Sequence, residues 1–315
     1  MSRRGEPIIG KYAWPAIGIA AVAVSIWLLF KELRGLSIDQ LGESLAAISH
    51  THWLLCVASA VLAYLALAGY DALALSYLKH RVNFVFITLT SFTTYALSHN
   101  LGASVLSGSI IRYRAYSSKS MSGLEIGQLI AFCSFTFALG TILLTGLVLT
   151  FEPSVGERFI NLPATDTLRW VGILLLVGIA VYVYGSWKQF RPLTIGPVKI
   201  YYPQLRTVAL QLLIGPLEIM GAAAIIYFAL PEAGNPGYFV VLGIFLLSFS
   251  AALLSSAPGG LGVLELLFVN GLSEMRDADV LAALLVFRLL YLLIPLALSI
   301  AVVLVFERRR MREAA

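Results

Sequence analysis

Charge is scarce in this sequence. Of its 315 residues, 22 are Lys or Arg and 17 are Asp or Glu, 12% in all, against 59% hydrophobic residues. A soluble domain carries about 25% charged and 45 to 50% apolar residues. That imbalance excludes a water-soluble globule and predicts an integral membrane protein. Long polar intervals are also missing: the longest hold about twenty residues, too few to enclose a separate soluble core. Cysteine occurs twice, at Cys56 and Cys133, each inside an apolar run without a ligand-spaced neighbour, so both read as packing residues. Histidine occurs four times; His50 and His52 flank Thr51 just before Trp53 and suit a membrane interface better than a metal site. There is no clustered Asp motif for magnesium, no zinc-like His/Glu spacing and no P-loop. No metal, cofactor or nucleic-acid partner is therefore expected, and an enzyme acting on lipid phosphates is the weakest reading.

What is present is a series of apolar runs near the roughly 20 residues that span a bilayer as helix, without the period-2 alternation of a membrane barrel. Eight can be drawn: 13–30, 53–78, 84–106, 124–150, 168–187, 206–230, 238–257 and 279–306. The first lacks a small-residue cleavage site and reads as a retained helix. If all eight crossed, with the N-terminus inside, the basic loop at 188–206 would lie outside and the acidic loop at 151–167 inside, against the positive-inside rule. Two segments run into polar or glycine-rich breaks, "SHNLGASVLSG" and "SSAPGGLG". If 84–118 and 238–275 are re-entrant hairpins, six segments cross and the loops sort. Arg3, Arg4, Lys11, Lys79, Arg81, Arg112, Arg114, Lys119, Lys188, Arg191, Lys199, Arg206, Arg308, Arg309, Arg310 and Arg312 fall in the cytoplasm. Only Lys31, Arg34, Arg158, Arg169 and Arg276 fall outside, sixteen against five.

The expectation is thus an all-α membrane protein of one domain, 13–306. A cytoplasmic N-terminus, 1–12, precedes it and a basic cytoplasmic tail, 307–315, follows. The two hairpins oppose each other, as in an inverted repeat, an arrangement that builds binding sites near the midplane of transporters. Ser104 to Gly108 and Pro258 to Gly262 share a four-residue step, each followed closely by a charge, Arg112 or Glu265. The alternative is that both segments are full spans with kinks.

In "SSAPGGLGVLELL" (255–267), Pro258 ends one half-helix, and Gly259, Gly260 and Gly262 allow a tight turn before another starts near Leu261. Such backbone at membrane depth survives only buried in protein or lining a wet cavity. The second half-helix presents free N–H groups to an anion. Glu265 has two readings: it caps its own helix, or it faces the cavity and pairs with Arg288 or receives a cationic part of the substrate.

Charges within apolar runs cost about 2.5 to 3.5 kcal/mol at a helix centre, so each needs a partner or a purpose. Asp71 lies late in its segment and reads as solvated near the interface. Glu218, after Gly215 and Pro216, reads as a buried pair or a cavity wall, and Arg288 near mid-membrane needs an anion. Arg112 and Arg114, with Tyr113 and Tyr116, fit either an interface belt or an anion site. A lipid carrying both a phosphate and a positive group would answer both signs, as lysine-bearing phosphatidylglycerol does. The Gly123/Gly127 spacing reads as close internal packing rather than a dimer face, which leaves the oligomeric state open.

The stretches "YALSHNLGASVLSGSIIRYRAYS" (95–117), "APGGLGVLELLF" (257–268) and "FRLLYLLIPLAL" (287–298) resemble the transmembrane domain of the lysylphosphatidylglycerol synthase/flippase family, the multiple peptide resistance factors, and its stand-alone relatives. The resemblance implies a flippase of the bacterial inner membrane that moves aminoacylated phosphatidylglycerol outward, in a context of antimicrobial peptide resistance. It carries over Arg112, Arg114, Pro258, Gly259, Gly260, Gly262, Glu265, Arg288 and Tyr291 as substrate-binding positions, which Glu218 joins on its own placement. Asn100 and Gly108 are carried over as hairpin structure. Only nine residues follow Phe306, so the expectation is a stand-alone, non-enzymatic member without the synthase domain. A scaffold for a separately encoded synthase is the alternative.

Overall fold

The computed structural model describes residues 38–101, 104–159, 165–189, 193–195, 198–200, 202–255 and 258–314. The first apolar segment, 13–30, and the expected N-terminus, 1–12, lie outside them. The helices run in chain order: α1 Ile38–Ala47, α2 His50–Tyr77, α3 Phe84–Leu101, α4 Ser104–Ser117, α5 Gly123–Phe151, the single turn α6 Ser154–Glu157, and α7 Thr165–Trp187. They continue with α8 Leu205–Ala229, α9 Tyr238–Ser255, α10 Val263–Gly271, α11 Asp277–Phe287 and α12 Ile294–Ala314. A 3-10 turn, Pro258–Gly260, precedes α10, and a π-helical turn, Arg288–Leu293, joins α11 to α12.

Five stretches are long and apolar enough to cross a bilayer: His50–Tyr77, Gly123–Phe151, Thr165–Trp187, Leu205–Ala229 and Asp277–Leu304. They coincide with five of the six segments expected to cross, and the protein is an α-helical multi-pass membrane protein. One departure from an all-α fold occurs in the basic loop. There Leu193–Ile195 and Val198–Ile200 pair antiparallel as β1 and β2. β-branched Thr194, Ile195, Val198 and Ile200 on either side of a Gly-Pro pair favour a ribbon where the apolar period of a helix is lost.

Local chemistry sets the helix starts. Ser49 accepts from the His52 N–H (3.2 Å) at the head of α2. At α5, Ser122 and Glu125 form a reciprocal capping box, and His80 reaches the same carboxylate at 2.9 Å. Small residues then set how closely helices approach, as expected where lipid tails supply no hydrophobic drive between them. A Cβ on Gly140 would stand 2.5 Å from the carbonyl carbon of Gly215, so α5 and α8 cross backbone to backbone. Gly221 of α8 lies against Ala63 and the Ser59 carbonyl of α2 in the same way. Gly123 and Gly127 play no such part: nothing lies within 4 Å of a Cβ at Gly127, and Gly123 meets only the Tyr113 ring. The small-residue spacing that matters lies between helices rather than within one.

Two large apolar clusters result, with a small third one at Leu97 and Leu296. One gathers α8, α9, α10, α11 and the first half of α2; the other gathers the second half of α2, the end of α4 and the start of α5. α7 packs on α5 through Gly146 and Gly172 and leaves its other side open. Exposed Trp170 and Trp187 stand seventeen residues apart on it. That is about 25 Å of helix, close to a hydrocarbon thickness with an aromatic anchor at each edge.

Contacts between loops define two ends of the bundle. At one end His80 meets Glu125, and the Ser186 hydroxyl donates to the Pro203 carbonyl (2.5 Å). At the other His52 lies 3.8 Å from Glu232, and Arg158 bonds the Gly271 carbonyl and Glu274. α3 and α4 pack against each other, as do α9 and α10. Gly108 makes the first pairing close, because a Cβ there would meet the Ser98 hydroxyl at 2.7 Å.

Candidate functional site

The Pro258–Gly260 turn, α3 and the π turn converge. Gly259, Gly260 and Gly262 all have positive φ (60°, 67° and 78°), a region that costs a side-chain-bearing residue about 1 to 2 kcal/mol. Glycine is required here because three of the four residues from 259 to 262 that lead into α10 hold positive φ. Gly262 caps α10, which starts at Val263, two residues later than the break in the sequence suggests. Glu265 accepts from the Gly262 N–H at 2.9 Å and from the Arg288 Nε at 2.8 Å. Glu265 therefore caps its own helix and pairs with Arg288 at once, one carboxylate oxygen for each task. Arg288 also bonds Glu265 through Nη2 and donates from Nη1 to the Gly259 carbonyl at 3.0 Å. One buried guanidinium thus ties the glycine turn, α10 and the π turn.

The π turn has a cause in the sequence. Pro295 lacks the N–H that would close onto the Tyr291 carbonyl four residues back, and Ile294 bonds Leu289 five residues back instead. The released acceptors are met from neighbouring helices. The Tyr64 hydroxyl donates to the Tyr291 carbonyl (2.9 Å), and Asn100 Nδ2 donates to the Leu292 carbonyl (3.2 Å) and the Ala96 carbonyl (2.8 Å). Tyr291 in turn donates its hydroxyl to Glu218 Oε1. Tyr70 donates to the Gly215 carbonyl at 3.0 Å and reaches Glu218 Oε2 at 3.5 Å. His99 stacks on Tyr291, with ring centroids 5.3 Å apart.

Five buried side-chain atoms, all on α3, have no hydrogen-bond partner among the described residues: Ser91 Oγ, Thr93 Oγ1, Thr94 Oγ1, His99 Nδ1 and Asn100 Oδ1. Native buried polar atoms are otherwise nearly all paired.

A second charged centre lies apart from this one. Asp71, expected near water, is fully buried at 0% exposure, and Arg112 is 5% exposed. Their side chains make a two-point pair, Nη2 to Oδ1 at 2.6 Å and Nε to Oδ2 at 3.3 Å. The Tyr116 hydroxyl adds a bond at 2.8 Å, the Cys133 thiol approaches at 3.5 Å, and the guanidinium lies 4.8 Å from the Tyr95 ring centroid. Tyr116 therefore belongs to a buried network and not to an interface belt, whereas Tyr113 and Arg114 are on the exposed side. The expectation for Asp71 fails because position along a helix sets its depth but not which side faces a neighbour; the α4 helix folds back over it.

The two breaks also differ locally. Gly108 lies within α4, while Gly262 is a left-handed cap, so the shared four-residue step is not a shared turn. What they have in common is one level up: the helix after each break carries a buried charge pinned to a longer element, Arg112 to Asp71 and Glu265 to Arg288. Pro258 opens the 3-10 turn that leads to Gly260.

Residues 16–299 match the family model for the lysylphosphatidylglycerol synthase TM region. The chain belongs to that family. It is similar to the protein slr0712 of Synechocystis sp., with 31% identity over 311 residues covering 96% of this chain and 95% of the relative. It is also similar to the inner membrane protein YbhN of Escherichia coli, with 35% identity over 256 residues, 78% of this chain and 77% of the relative. The phosphatidylglycerol lysyltransferase of Staphylococcus haemolyticus is 24% identical over 298 residues, which cover 92% of this chain but 33% of that longer protein.

Within this lysylphosphatidylglycerol synthase TM region, Arg288, Glu265, Gly259, Tyr291, Glu218 and Asn100 come together, and Arg112 does not. Sequence reasoning missed Tyr64, Tyr70 and His99. Pro295 was the available signal for Tyr64, since a proline inside an apolar helix frees a carbonyl that another donor must satisfy.

Proposed function

We propose that this chain is a lipid transporter, which carries a phospholipid headgroup between leaflets of the bacterial inner membrane through a polar chamber between two re-entrant hairpins. Residues 84–118 enter from the cytoplasm and 238–275 from the outer face. In support, His80 and the Ser122–Glu125 cap lie together at one end of the bundle, where the first hairpin starts and finishes. Glu232, Arg158, Gly271 and Glu274 lie at the other, where the second does. The basic loops group with the first end, which makes it cytoplasmic.

The observation that carries the reading is the set of five unpartnered polar atoms on α3, in which Ser91 and Thr94 share one face of the helix and Thr93 and Asn100 the opposite one. Each such atom costs about 1 to 3 kcal/mol, a penalty a protein sheds unless something polar meets it in the working cycle. Hydroxyls, an imidazole nitrogen and an amide oxygen suit the phosphate, glycerol and amine of a headgroup. Arg288 and Glu265 supply both signs beside them. A phosphate that displaces Glu265 from Arg288 would leave that carboxylate for the ammonium of an aminoacylated lipid, so such a lipid satisfies both partners of a pair it opens. The chain itself performs no chemistry in this scheme.

The test is headgroup exposure in proteoliposomes, followed with a membrane-impermeant amine reagent on lysyl-phosphatidylglycerol. The double substitution Ser91→Ala with Thr94→Val removes two hydroxyls that bond nothing among the described residues. At about 1 kcal/mol for each lost bond to cargo, movement should fall about thirtyfold, while thermal stability stays the same or rises. Unchanged movement would remove Ser91 and Thr94, and the face of α3 they share, from the path. No movement by the unmodified protein, together with co-purification of a cytosolic transferase, would replace transport by the scaffold reading.

A further inference from the structure

Four carboxylates are buried among the described residues: Asp71, Glu218, Glu265 and Asp279. Three of them meet an arginine, in the pairs Asp71–Arg112, Glu265–Arg288 and Asp279–Arg276. Glu218 has none, although it is only 3% exposed. Its hydrogen-bond partners are two phenols, Tyr291 and Tyr70. A charged carboxylate at membrane depth with no cation is among the costliest arrangements a protein can hold, and adding a proton relieves it.

Most titratable groups on the helices around Glu218 are engaged elsewhere, and on α3 Tyr95 lies edge-on to Tyr70 and His99, its Nδ1 unpartnered among the described residues, stacks on Tyr291, each one phenol away from the carboxylate. From α2 come Tyr64, whose hydroxyl is committed to the Tyr291 carbonyl, and Tyr70. From the π turn comes Tyr291, while Arg288 at its start is committed to Glu265 and Gly259. On α11, Asp279 is engaged by Arg276 and Ser44. On α5, Cys133 turns to Asp71; on α7, Tyr182 bonds Gln211; on α9, Tyr238 bonds the Met220 carbonyl.

We propose that Glu218 is a proton-binding site, and that proton uptake and release there couple the lipid transport proposed above to a proton gradient. The proposal rests on that reading for its second half only. The step is a simple one: the carboxylate takes H⁺ from water and later returns it, with no other reactant. Its structural effect follows from hydrogen-bond capacity. An ionised carboxylate only accepts, which suits the Tyr291 donor, but a protonated one must also donate, and the Tyr70 oxygen, whose own hydrogen goes to the Gly215 carbonyl, can accept that bond. Loss of the charge weakens the bond from Tyr291, since a charge-assisted hydrogen bond is about twice as strong as a neutral one. Tyr291 is placed to transmit that change, because it lies in the π turn three residues after Arg288, which holds the Gly259 carbonyl and Glu265. Proton binding at Glu218 thereby reaches the glycine turn through a turn whose bonding is already irregular.

Difference infrared spectroscopy on the full chain in lipid nanodiscs tests the site without requiring transport. A protonated-carboxyl stretch that appears reversibly as pH falls, and is lost in Glu218→Gln, is the expected result. Absence of such a band across the stable pH range, or its survival in Glu218→Gln, overturns the proposal. If Glu218→Gln does not fold, Tyr291→Phe takes its place: the band should then shift its titration midpoint, and an unmoved midpoint overturns it. In proteoliposomes an imposed proton gradient should change the rate of headgroup exposure several-fold for the unmodified protein and leave Glu218→Gln unaffected. A gradient-independent rate in the unmodified protein overturns the coupling, whereas absence of any lipid movement overturns the transport reading and leaves the infrared result standing.

Discussion

At the scale of single residues, the protein spends its few membrane-depth charges on pairs that pin one helix to another. The Asp71–Arg112 pair shows the energetics most simply because both partners are out of water and Tyr116 completes the carboxylate. Removing one partner strands the other, at about 3 to 5 kcal/mol. Asp71→Ala and Arg112→Ala should each lower thermal stability in detergent by that much, and the double substitution by clearly less than their sum. Additive losses would mean that the two do not act as a pair. Glu218 offers the contrast: its bonds are to phenols, so Glu218→Gln keeps the shape and loses the charge. It should be tolerated far better than Asp71→Asn, which leaves the Arg112 guanidinium without its counter-charge.

At the scale of elements, irregular turns do the positioning. Pro295 creates the π turn, and Tyr64 compensates by donating to the carbonyl that the proline leaves open. Tyr64→Phe should therefore cost about 1 to 3 kcal/mol for an unsatisfied buried carbonyl. In a Pro295→Ala background, where a backbone N–H returns, the same change should cost much less; an equal cost in both backgrounds would detach Tyr64 from the turn. Helix crossings are equally specific. A Cβ at Gly140 would press on the Gly215 backbone, while one at Gly127 would meet nothing. Gly140→Ala should lose about 1 to 3 kcal/mol through overpacking that backbone cannot relax. Gly127→Ala should be neutral or gain up to about 1 kcal/mol from helix propensity.

At the scale of the whole molecule, the question is which ends of the bundle share a side of the membrane. Both cysteines are buried, so single cysteines introduced elsewhere report alone. A cysteine at Gln189 should react with an impermeant maleimide only from the cytoplasmic side, and one at Glu232 only from the outside. The opposite pattern would invert the assignment, and labelling of both from one side would mean that α8, the one helix between them, does not cross. Much of this frame was legible in advance. The five described spans match apolar runs within a few residues, because burial in hydrocarbon acts on every residue of a run at once. The β ribbon at 193–200 was not legible, since a short strand in a polar loop carries no period of its own.

Composition and run length alone determined that this is a helical membrane protein, which five described helices are long and apolar enough to cross, and that the backbone breaks at Pro258–Gly262. Each of those is a local demand: hydrocarbon requires apolar runs, and proline and glycine end helices wherever they sit. Which charge meets which was decided only by tertiary packing. Asp71 and Arg112 are 41 residues apart and Glu218 and Tyr291 are 73 apart. Such partners are chosen by the rotation of each helix about its axis, which the close glycine crossings set and which no count of residues along the chain contains.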